Sequence, residues 1–254
     1  MPIPILDNEE KIRYTRHLNI PEIGEEGQKK LKAASVLIIG EGGLGSASSL
    51  YLAAAGVGNI GIVDSDKVEL SNLQRQIVHA MDSIGKPKVD SARERLLGIN
   101  PSIEVRGFQE RIIPDTVKKL FTNYAIVIDA TDNFETRYLM NDACVSMNKP
   151  LIYGAIFQFY GQMSVFDAAK GPCFQCVFRE IPTEEVVKAN RGVGVVSPLP
   201  GVIGTLQAVE AIKLILGIGT PFIGKLLLFD GLQMQFQEIS LRKDPACPIC
   251  GQPK

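Results

Sequence analysis

The chain has 254 residues, of which 45% are hydrophobic and 22% charged, and its formal net charge is −1 at pH 7. A chain of this size can bury one large core, and its net charge argues against a nucleic-acid-binding surface, which needs a clustered excess of Lys and Arg. The N-terminus has no signal-like segment, and the apolar stretch 201–216 is too short to cross a bilayer and contains Glu210 and Lys213. We therefore expect a cytoplasmic protein that binds neither nucleic acid nor a membrane.

The first 33 residues are rich in charge and are interrupted by Pro21 and Gly24. This composition predicts an N-terminal segment of short helices that pack against the main sheet or against a neighbouring subunit. We expect one domain, in which this segment is followed by a nucleotide-binding half over 34–150 and a second half over 151–254.

A glycine-rich loop stands between the first predicted strand and the first long helix. An apolar run over 36–39 precedes Gly-Glu-Gly-Gly-Leu-Gly at 40–45, a helix of small residues follows over 46–55, and a second apolar run ends at Asp64. This order is typical of a nucleotide-binding βαβ unit, with phosphate at the helix N-terminus and the acid at a ribose hydroxyl. The pattern alone does not decide between ATP and a nicotinamide cofactor.

The rest of the first half alternates between helical and strand patterns. We predict helices over 88–99, 114–121 and 135–147, and strands over 103–108 and 125–128. The second strand is apolar throughout, as expected of a strand that is buried on both faces of a parallel sheet.

After Leu151 the pattern changes to glycine turns and period-two alternation. We predict strands over 151–156 and 162–166 joined around Gly161, a second pair over 225–229 and 234–241, a helix over 202–216, and a mobile crossover loop over 181–200. The predicted fold class is α/β, with a Rossmann-like, mostly parallel sheet to which antiparallel strands are added in the C-terminal half. This second half is expected to bind a protein partner.

Four of the five cysteines occur in two C-x-x-C pairs. These are Cys173 with Cys176 and Cys247 with Cys250. Two such pairs supply four thiolates, which is the usual ligand set of structural zinc, and such a site would fasten the C-terminus to the middle of the fold. The fifth, Cys144, lies in an apolar helix and is expected to be a buried small side chain rather than a nucleophile.

Polar residues follow the predicted parallel strands at the points where those strands end. Asp64 and Asp66 follow one strand, and Asp132 and Asn133 follow another. Because ligands of open α/β sheets bind at the carboxyl ends of the strands, we expect these residues to form a site. With Arg75 and Lys88 on phosphate, a carboxylate there would suit a bridging Mg²⁺ ion, whereas Lys86 and Glu69 are expected to be a solvated rim.

The chain contains only two histidines, His17 and His79, and neither is expected near the glycine loop. A reaction in which a carboxylate attacks phosphorus needs alignment and positive charge but no general base. Nicotinamide chemistry on an alcohol or a carbonyl normally uses an acid–base group, so the scarcity of histidine counts mildly against it.

These motifs together closely resemble those of the MoeB/ThiF family of ubiquitin-activating-type adenylyltransferases. The resemblance extends from Arg13 to Cys250. It is carried by Gly40–Gly45, Asp64-x-Asp66, Ser71-Asn72-Leu73-Gln74-Arg75-Gln76, Gly85-x-Pro87-Lys88, Thr131-Asp132-Asn133 with Arg137, and the paired cysteines.

The resemblance implies an enzyme that uses ATP and Mg²⁺ to adenylate the C-terminal Gly-Gly carboxylate of a ubiquitin-like sulfur carrier. It leaves the pathway open among molybdopterin biosynthesis, thiamine biosynthesis, tRNA thiolation and cysteine synthesis. It implies Gly43 in the nucleotide loop, Asp64 at the ribose, Asp132 at Mg²⁺, and Zn²⁺ on the four paired cysteines. It implies that Asn72, Arg75 and Lys88 hold phosphate, and that Asp66, Ser71, Leu73, Gln74 and Asn133 line the nucleotide site. It also implies a homodimer in which Arg16 reaches the partner's ATP.

One departure concerns the crossover loop. Family members that bond covalently to their carrier have a cysteine there, whereas no cysteine occurs between Cys176 and Cys247 and Asn190 stands near the expected place. We therefore predict adenylation without a covalent cysteine step, with sulfur supplied by a separate donor protein. Two alternatives remain open, namely a NAD-dependent oxidoreductase and a non-catalytic module that docks the carrier.

Overall fold

The computed structural model describes residues 4–183, 185 and 192–251 of the chain. The strands are β1 (Ser35–Ile39), β2 (Asn59–Val63), β3 (Glu104–Phe108), β4 (Ile126–Asp129), β5 (Leu151–Phe157), β6 (Tyr160–Phe166), β7 (Lys225–Asp230) and β8 (Gln235–Ser240). They form one sheet in the order β3-β2-β1-β4-β5-β6-β7-β8. The first five strands run parallel, and β5 to β8 pair in antiparallel fashion, which confirms the predicted fold class.

Helices cover both faces of the sheet. The helices are α1 (Asn8–Arg13), α2 (Thr15–Leu18), α3 (Gly24–Ala33), α4 (Gly43–Ala55), α5 (Lys88–Ile99), α6 (Pro114–Phe121), α7 (Phe134–Ser146), α8 (Phe174–Val177) and α9 (Leu199–Leu216), with 3₁₀ turns at Leu70–Asn72 and Met81–Ser83. Successive side chains of a strand point to opposite faces, so Val36 and Ile38 contribute to one core while Leu37 and Ile39 contribute to the other. Helices α3, α4, α5 and α9 pack on the first core, and α6, α7 and α8 pack on the second.

The strand order reverses next to β1, and this reversal determines where a ligand can enter. The chain runs from β1 to β2 on one side and later places β4 on the other side of β1. The loops that follow β1 and β4 meet here, since a Cβ at Gly40 would lie 2.7 Å from the carbonyl oxygen of Ala130. Gly40 also has a φ of +91°, a backbone conformation that residues with a side chain rarely adopt. A crevice at such a reversal is the usual ligand site of an open α/β sheet.

Several boundaries agree with the sequence prediction, and others need correction. Helices α5 and α6 begin and end where predicted. The turn between β5 and β6 lies at Gln158 and Phe159, whereas Gly161 pairs with Ile156 inside the ladder. A Cβ at Gly161 would lie 2.5 Å from Cγ1 of Ile203, so the glycine serves close packing of α9 and not the turn.

The predicted crossover loop 181–200 is also shorter than expected, because α9 already begins at Leu199. Val195 forms a parallel bridge with Gln158, so this end of the segment is tied to the sheet. Residue 184 and residues 186–191, which include Asn190, lie outside the described residues, and the predicted order of that part is not tested.

Helix α9 is longer than the 201–216 stretch considered above. Its 18 residues are long and apolar enough to cross a membrane by length and composition, but half of them are buried inside the fold. The buried Glu210 accepts a hydrogen bond from the backbone N–H of Phe222 (2.8 Å) and forms an ion pair with Lys213. Helix α9 is a core helix, since Gly204 packs against Leu44 of α4 and Ile203 packs against Gly161 of the sheet.

Candidate nucleotide site and metal centre

The glycine loop between β1 and α4 leaves no room for side chains on its inner side. A Cβ at Gly45 would lie 2.1 Å from the carbonyl oxygen of Gly40, and a Cβ at Gly43 would lie 2.7 Å from Cβ of Pro200. At Gly42, the neighbouring residues of the chain aside, such a Cβ would meet only Nε2 of Gln76 among the described residues, at 3.7 Å. The first N–H groups of α4 have no partner within the helix. The loop can therefore bring backbone N–H groups to a phosphate.

The segment 71–76 packs directly against this loop. The carbonyl oxygen of Arg75 lies 3.5 Å from the Cβ position of Gly43. Nη1 of Arg75 donates to the carbonyl oxygen of Ser71 (3.2 Å), and among the described residues no carboxylate forms an ion pair with its guanidinium. The side-chain oxygen of Asn72 accepts from the N–H of Glu69 (3.0 Å), which leaves the amide N–H₂ group to donate elsewhere. Arg75 and Asn72 thus offer charge and donors beside the loop.

The other predicted residues of this segment hold it in place. Nε2 of Gln74 donates to the carbonyl oxygen of Val195 (3.2 Å), and the hydroxyl of Ser197 donates to the carbonyl of Gln74. Ser71 is exposed, and Leu73 is half-buried. These contacts connect the segment to the residues that precede α9.

Lys88, the first residue of α5, lies between the two predicted acids. Its Nζ is 2.9 Å from Oδ2 of Asp66 and 3.8 Å from Oδ2 of Asp64. The side chains of Lys88 and Asp64 are only 7% and 9% exposed, whereas that of Asp66 is 60% exposed. The carboxylate of Asp64 also accepts from the N–H groups of Glu41 and Asp66, each at 2.8 Å. Asp64 is therefore held in one orientation at the end of β2.

The second residue of the glycine loop, Glu41, is fully buried. Its Oε1 accepts from the hydroxyl of Ser49 (2.7 Å), and its Oε2 has no hydrogen-bond partner in the described structure. Burial raises the pKa of Glu41 to about 8, and the nearby charge of Asp64 adds to this shift. The side chain is thus largely a neutral carboxylic acid near pH 7, and it lies in the interior against Ser49 of α4.

His79 corrects the expectation that neither histidine lies near the glycine loop. Its Nε2 is 3.2 Å from the carbonyl oxygen of Glu41, and its Nδ1 is 2.9 Å from the hydroxyl of Ser91. Burial lowers the pKa of His79, which favours the neutral ring. The other histidine, His17, stacks on Tyr14 and contacts Gln28 in the N-terminal segment.

The residues after β4 combine a buried ion pair with an exposed acid. Nε of Arg137 is 3.2 Å from Oδ2 of the fully buried Asp129, without the alignment of a hydrogen bond. Arg137 also donates to the carbonyl of Thr131 (2.7 Å), which fixes the turn. Asp132 is exposed at the next position, and Asn133 caps α7 by accepting from the N–H of Thr136 (2.9 Å). Asp132 therefore projects from a rigid turn, whereas the side-chain oxygen of Asn133 is engaged in capping.

Arg16, another predicted catalytic residue, lies apart from the glycine loop. It lies exposed on α2, and its neighbour His17 borders a shallow apolar depression formed with Tyr51 and Ala55. Tyr51 and Ala55 belong to the C-terminal end of α4, whereas the glycine loop precedes the N-terminus of that helix. An α-helix of this length separates the two ends by about 18 Å.

The four paired cysteines converge in the structure, as predicted. Cys173 Sγ lies 3.8 Å from Cys176 Sγ and 3.6 Å from Cys247 Sγ, and Cys176 Sγ lies 3.4 Å from Cys250 Sγ. All four sulfur atoms are within 4.8 Å of one another. Four sulfurs at about 2.3 Å from a tetrahedral zinc ion would be about 3.8 Å apart. The cluster can therefore hold one Zn²⁺ ion with no open coordination position.

Cys144 is separate from this cluster and is buried in α7. Burial raises the pKa of its thiol well above the ordinary value, so the thiolate is strongly disfavoured. The prediction that Cys144 acts as a small hydrophobic side chain agrees with this environment.

Sequence reasoning missed Glu41 and His79, which lie beneath the loop. A charged residue between two loop glycines was the available signal for Glu41, since every neighbour in that loop is small or apolar. His79 carries no such signal, because it reaches the loop only through the turns that follow the segment 71–76.

Comparison with known proteins finds one family and several similar relatives. The sequence profile of the ThiF family matches residues 14–249. The sulfur carrier protein adenylyltransferase of Thermus thermophilus is 44% identical over 96% of this chain and 92% of its own length. The SAMP-activating enzyme E1 of Haloferax volcanii is 42% identical over 97% of this chain and 91% of its own.

Other relatives are longer than this chain. The adenylyltransferase and sulfurtransferase MOCS3 of Culex quinquefasciatus is 49% identical, but the match covers 56% of its length. Among solved structures, E. coli MccB in complex with a variant MccA peptide superimposes with a TM-score of 0.84 at 24% identity, over 97% of this chain and 76% of that one. This last likeness supports the fold alone.

Proposed function

The chain belongs to the ThiF family, and we propose that it is an ATP-dependent adenylyltransferase that activates the C-terminal Gly-Gly carboxylate of a ubiquitin-like sulfur carrier protein. The names of the Thermus and Haloferax relatives, each matched over more than nine-tenths of its length, support this activity. We place the enzyme in the cytoplasm. The product would serve molybdopterin or thiamine biosynthesis, tRNA thiolation or cysteine synthesis.

The observation that carries the proposal is the packing of the segment 71–76 against the glycine loop. It brings Arg75 beside the first turn of α4, while Lys88 lies at the acids that end β2. The backbone N–H groups of the loop thus lie beside a segment that carries Arg75, whose guanidinium has no carboxylate partner among the described residues, whereas Lys88 is paired with Asp64 and Asp66. N–H donors and a cation in adjoining segments support a site for the phosphate groups of a nucleotide.

The proposed reaction needs no general base in the crevice. An ionised carboxylate oxygen of the carrier attacks the α-phosphorus of ATP, a C–O–P linkage forms, and the bond between the α-phosphorus and the bridging oxygen breaks to release pyrophosphate. No proton is removed from the nucleophile. The protein's contribution is to align the two reactants and to offset negative charge on the phosphates, for which we assign Asn72, Arg75 and Lys88.

Asp132 fits the ligand chemistry of Mg²⁺. Its carboxylate is exposed at the carboxyl end of β4, and the turn that carries it is fixed by Arg137. Hard carboxylate oxygens beside phosphate are the ligands that Mg²⁺ prefers, and the ion would offset charge on the phosphates. Asp64, oriented by Glu41 and Asp66, is assigned to a ribose hydroxyl. The rest of the nucleotide site is assigned to Gly43, Asp66, Ser71, Leu73, Gln74 and Asn133.

We propose that the enzyme works as a homodimer. The depression on α4 and α9 is lined by apolar side chains, and Tyr51 and Val209 are 58% and 46% exposed there. A second copy that covers this face would lie next to Arg16, because His17 borders the same depression. Such an arrangement would explain how an arginine remote from its own crevice can serve the partner's ATP.

The carrier is proposed to dock at the edge of the sheet that carries the crevice. Exposed aromatic side chains lie where β5 ends and β6 begins, namely Phe157, Phe159 and Tyr160. Because β5 is parallel to β4, this end of β5 is on the same side of the sheet as Asp132. An apolar surface at that position suits a folded carrier whose extended C-terminus enters the crevice.

We propose that the chain forms no thioester or persulfide with the carrier. The four paired cysteines are assigned to structural Zn²⁺, and Cys144 is buried with an unreactive thiol. Sulfur would therefore come from a separate donor protein. The position near Asn190 lies outside the described residues.

Exchange of labelled pyrophosphate into ATP tests the proposed activity. We expect exchange that requires both Mg²⁺ and a carrier ending in Gly-Gly, and no exchange with a carrier that lacks these two residues. Exchange that is independent of the carrier would contradict the proposal, and so would binding of NADH in preference to ATP.

A further inference from the structure

Five residues form a closed series of polar contacts around the glycine loop, and both ends of the series lie on α5. On one side, Nζ of Lys88 is 3.8 Å from Oδ2 of Asp64, which accepts the N–H of Glu41 at 2.8 Å. On the other side, the carbonyl oxygen of Glu41 is 3.2 Å from Nε2 of His79, whose Nδ1 is 2.9 Å from Oγ of Ser91. The backbone N–H and the carbonyl of Glu41 are therefore both connected to the first turn of α5, one through Asp64 and the other through His79.

The series lies inside the protein and not on its surface. Glu41, His79, Ser91 and Lys88 are 0%, 7%, 3% and 6% exposed. In such surroundings water cannot replace a lost partner, and an unpaired group costs more than it would at the surface. The geometry of these contacts is thus a strong constraint on the position of the loop.

The chemistry of the groups fixes the protons. A backbone carbonyl can only accept, so the contact with Glu41 requires the hydrogen on Nε2 of His79. In the neutral ring Nδ1 is then an acceptor, and the hydroxyl of Ser91 donates to it. Ser91 therefore selects the tautomer with which His79 can hold the carbonyl of Glu41.

We propose that His79 is a positioning residue of the nucleotide loop, which it holds at a fixed distance from Lys88 through the carbonyl of Glu41 and the hydroxyl of Ser91. This inference rests on the proposed function, because it concerns the loop that is assigned to ATP. His79 does not touch the nucleotide. It determines how far the backbone N–H groups of the loop lie from the ammonium group of Lys88.

The test compares ATP affinity in three variants by calorimetric titration of the full chain with ATP and Mg²⁺, together with thermal unfolding. His79→Phe keeps the volume of the ring but removes both nitrogen contacts, and we expect the Kd for ATP to rise about tenfold. His79→Gln keeps an N–H donor for the carbonyl of Glu41, and we expect its Kd to stay within about threefold of the wild type. Ser164→Ala is the control for the loss of a buried side-chain hydrogen bond elsewhere in the protein.

Ser164 is a buried serine of β6 whose hydroxyl donates to the carbonyl of Lys225 (2.7 Å), remote from the loop. Its replacement should lower the unfolding temperature without changing the Kd. An unchanged Kd in His79→Phe, or an equal loss in His79→Gln, would overturn the inference. Should His79→Phe fail to fold, Ser91→Ala decides, since a Kd raised about threefold supports the role of His79 and an unchanged Kd contradicts it.

The result separates this inference from the proposed function. A wild type that binds ATP without carrier-dependent exchange would contradict the proposed reaction, while the comparison of affinities would still decide for or against His79. A wild type that binds no ATP would contradict both.

Discussion

The ammonium group of Lys88 lies 3.8 Å from the carboxylate of Asp64, and both side chains are more than nine-tenths buried. A buried ion pair contributes little to stability against apolar side chains of the same shape, but removal of one partner leaves the other charge without compensation. This pair therefore connects the stability of the fold to the site at which phosphate is proposed to bind.

Replacement of Lys88 should affect both properties at once. We expect Lys88→Met to lower the free energy of unfolding by about 3 kcal/mol, because the carboxylate of Asp64 stays buried. Pyrophosphate exchange should fall at least about 100-fold through the loss of a cation at the phosphates. Urea denaturation and exchange kinetics measure the two effects.

Lys86 supplies the control for that experiment. It is 45% exposed and pairs with Glu94 at 3.1 Å on the surface. Lys86→Met should change the stability by less than about 1 kcal/mol and leave the exchange rate within a factor of two. Equal losses in the two variants would show that charge in general, and not the position of Lys88, is responsible.

Two neighbouring residues after β4 should separate activity from stability. Asp132 is exposed and caps none of the helices in the described part of the chain, so Asp132→Ala should change unfolding little. Exchange should be abolished, because Asp132 is assigned to Mg²⁺. Asn133 caps α7, so Asn133→Ala should cost about 1 kcal/mol of stability and reduce exchange far less. Full exchange activity in folded Asp132→Ala would exclude the Mg²⁺ assignment.

The buried acid of the glycine loop predicts a dependence of stability on pH. Burial raises the pKa of Glu41 from 4.5 to about 8, so between these values the folded protein holds a proton that the unfolded protein has released. The free energy of unfolding must then fall as the pH rises through this window, by up to about 1.4 kcal/mol per pH unit from this group.

Glu41→Gln should remove that contribution. We expect the stability of the wild type minus that of the variant to decline between pH 5 and pH 8, as measured by urea denaturation at several pH values. The buried Asp129, whose pKa is also raised by burial, is common to both proteins and cancels in the difference. A difference that stays constant with pH would mean that Glu41 is ionised in the folded protein.

Removal of metal tests the cysteine cluster. We expect one zinc ion per chain, and a strong chelator should lower the unfolding temperature because the ion connects α8 to the C-terminal residues 247–250. Cys250→Ser should lose the metal, whereas Cys144→Ala should retain it. Stoichiometric zinc in Cys250→Ser, or no zinc in the wild type, would be incompatible with this site.

Much of the fold could be predicted because its signals are local. Helix α5 ends at Ile99, just before Asn100-Pro101, and α6 begins at Pro114, and both boundaries follow from the restrictions that proline imposes on neighbouring backbone. The cysteine cluster was also predictable, since thiol spacing carries its own chemistry. The turn between β5 and β6 was placed wrongly, because Gly161 is required by its contact with Ile203, far away in sequence.

The candidate site was predictable where it follows strand ends and unpredictable beneath the loop. Asp64 follows β2 directly and Asp132 stands three residues after the end of β4, so the topology of a parallel sheet already brings them to one edge. The contact between His79 and Glu41 joins residues 38 positions apart through irregular turns. No periodicity specifies such a contact, and only the packed structure reveals it.

The most direct measurement of the central claim is intact-mass spectrometry of a Gly-Gly carrier after incubation with the protein, ATP and Mg²⁺. Our account predicts a carrier that has gained one AMP group and loses it on treatment with hydroxylamine, together with an unmodified enzyme before and after dithiothreitol. A carrier of unchanged mass would contradict the adenylation, and a dithiothreitol-sensitive bond between carrier and enzyme would contradict a reaction without a cysteine step.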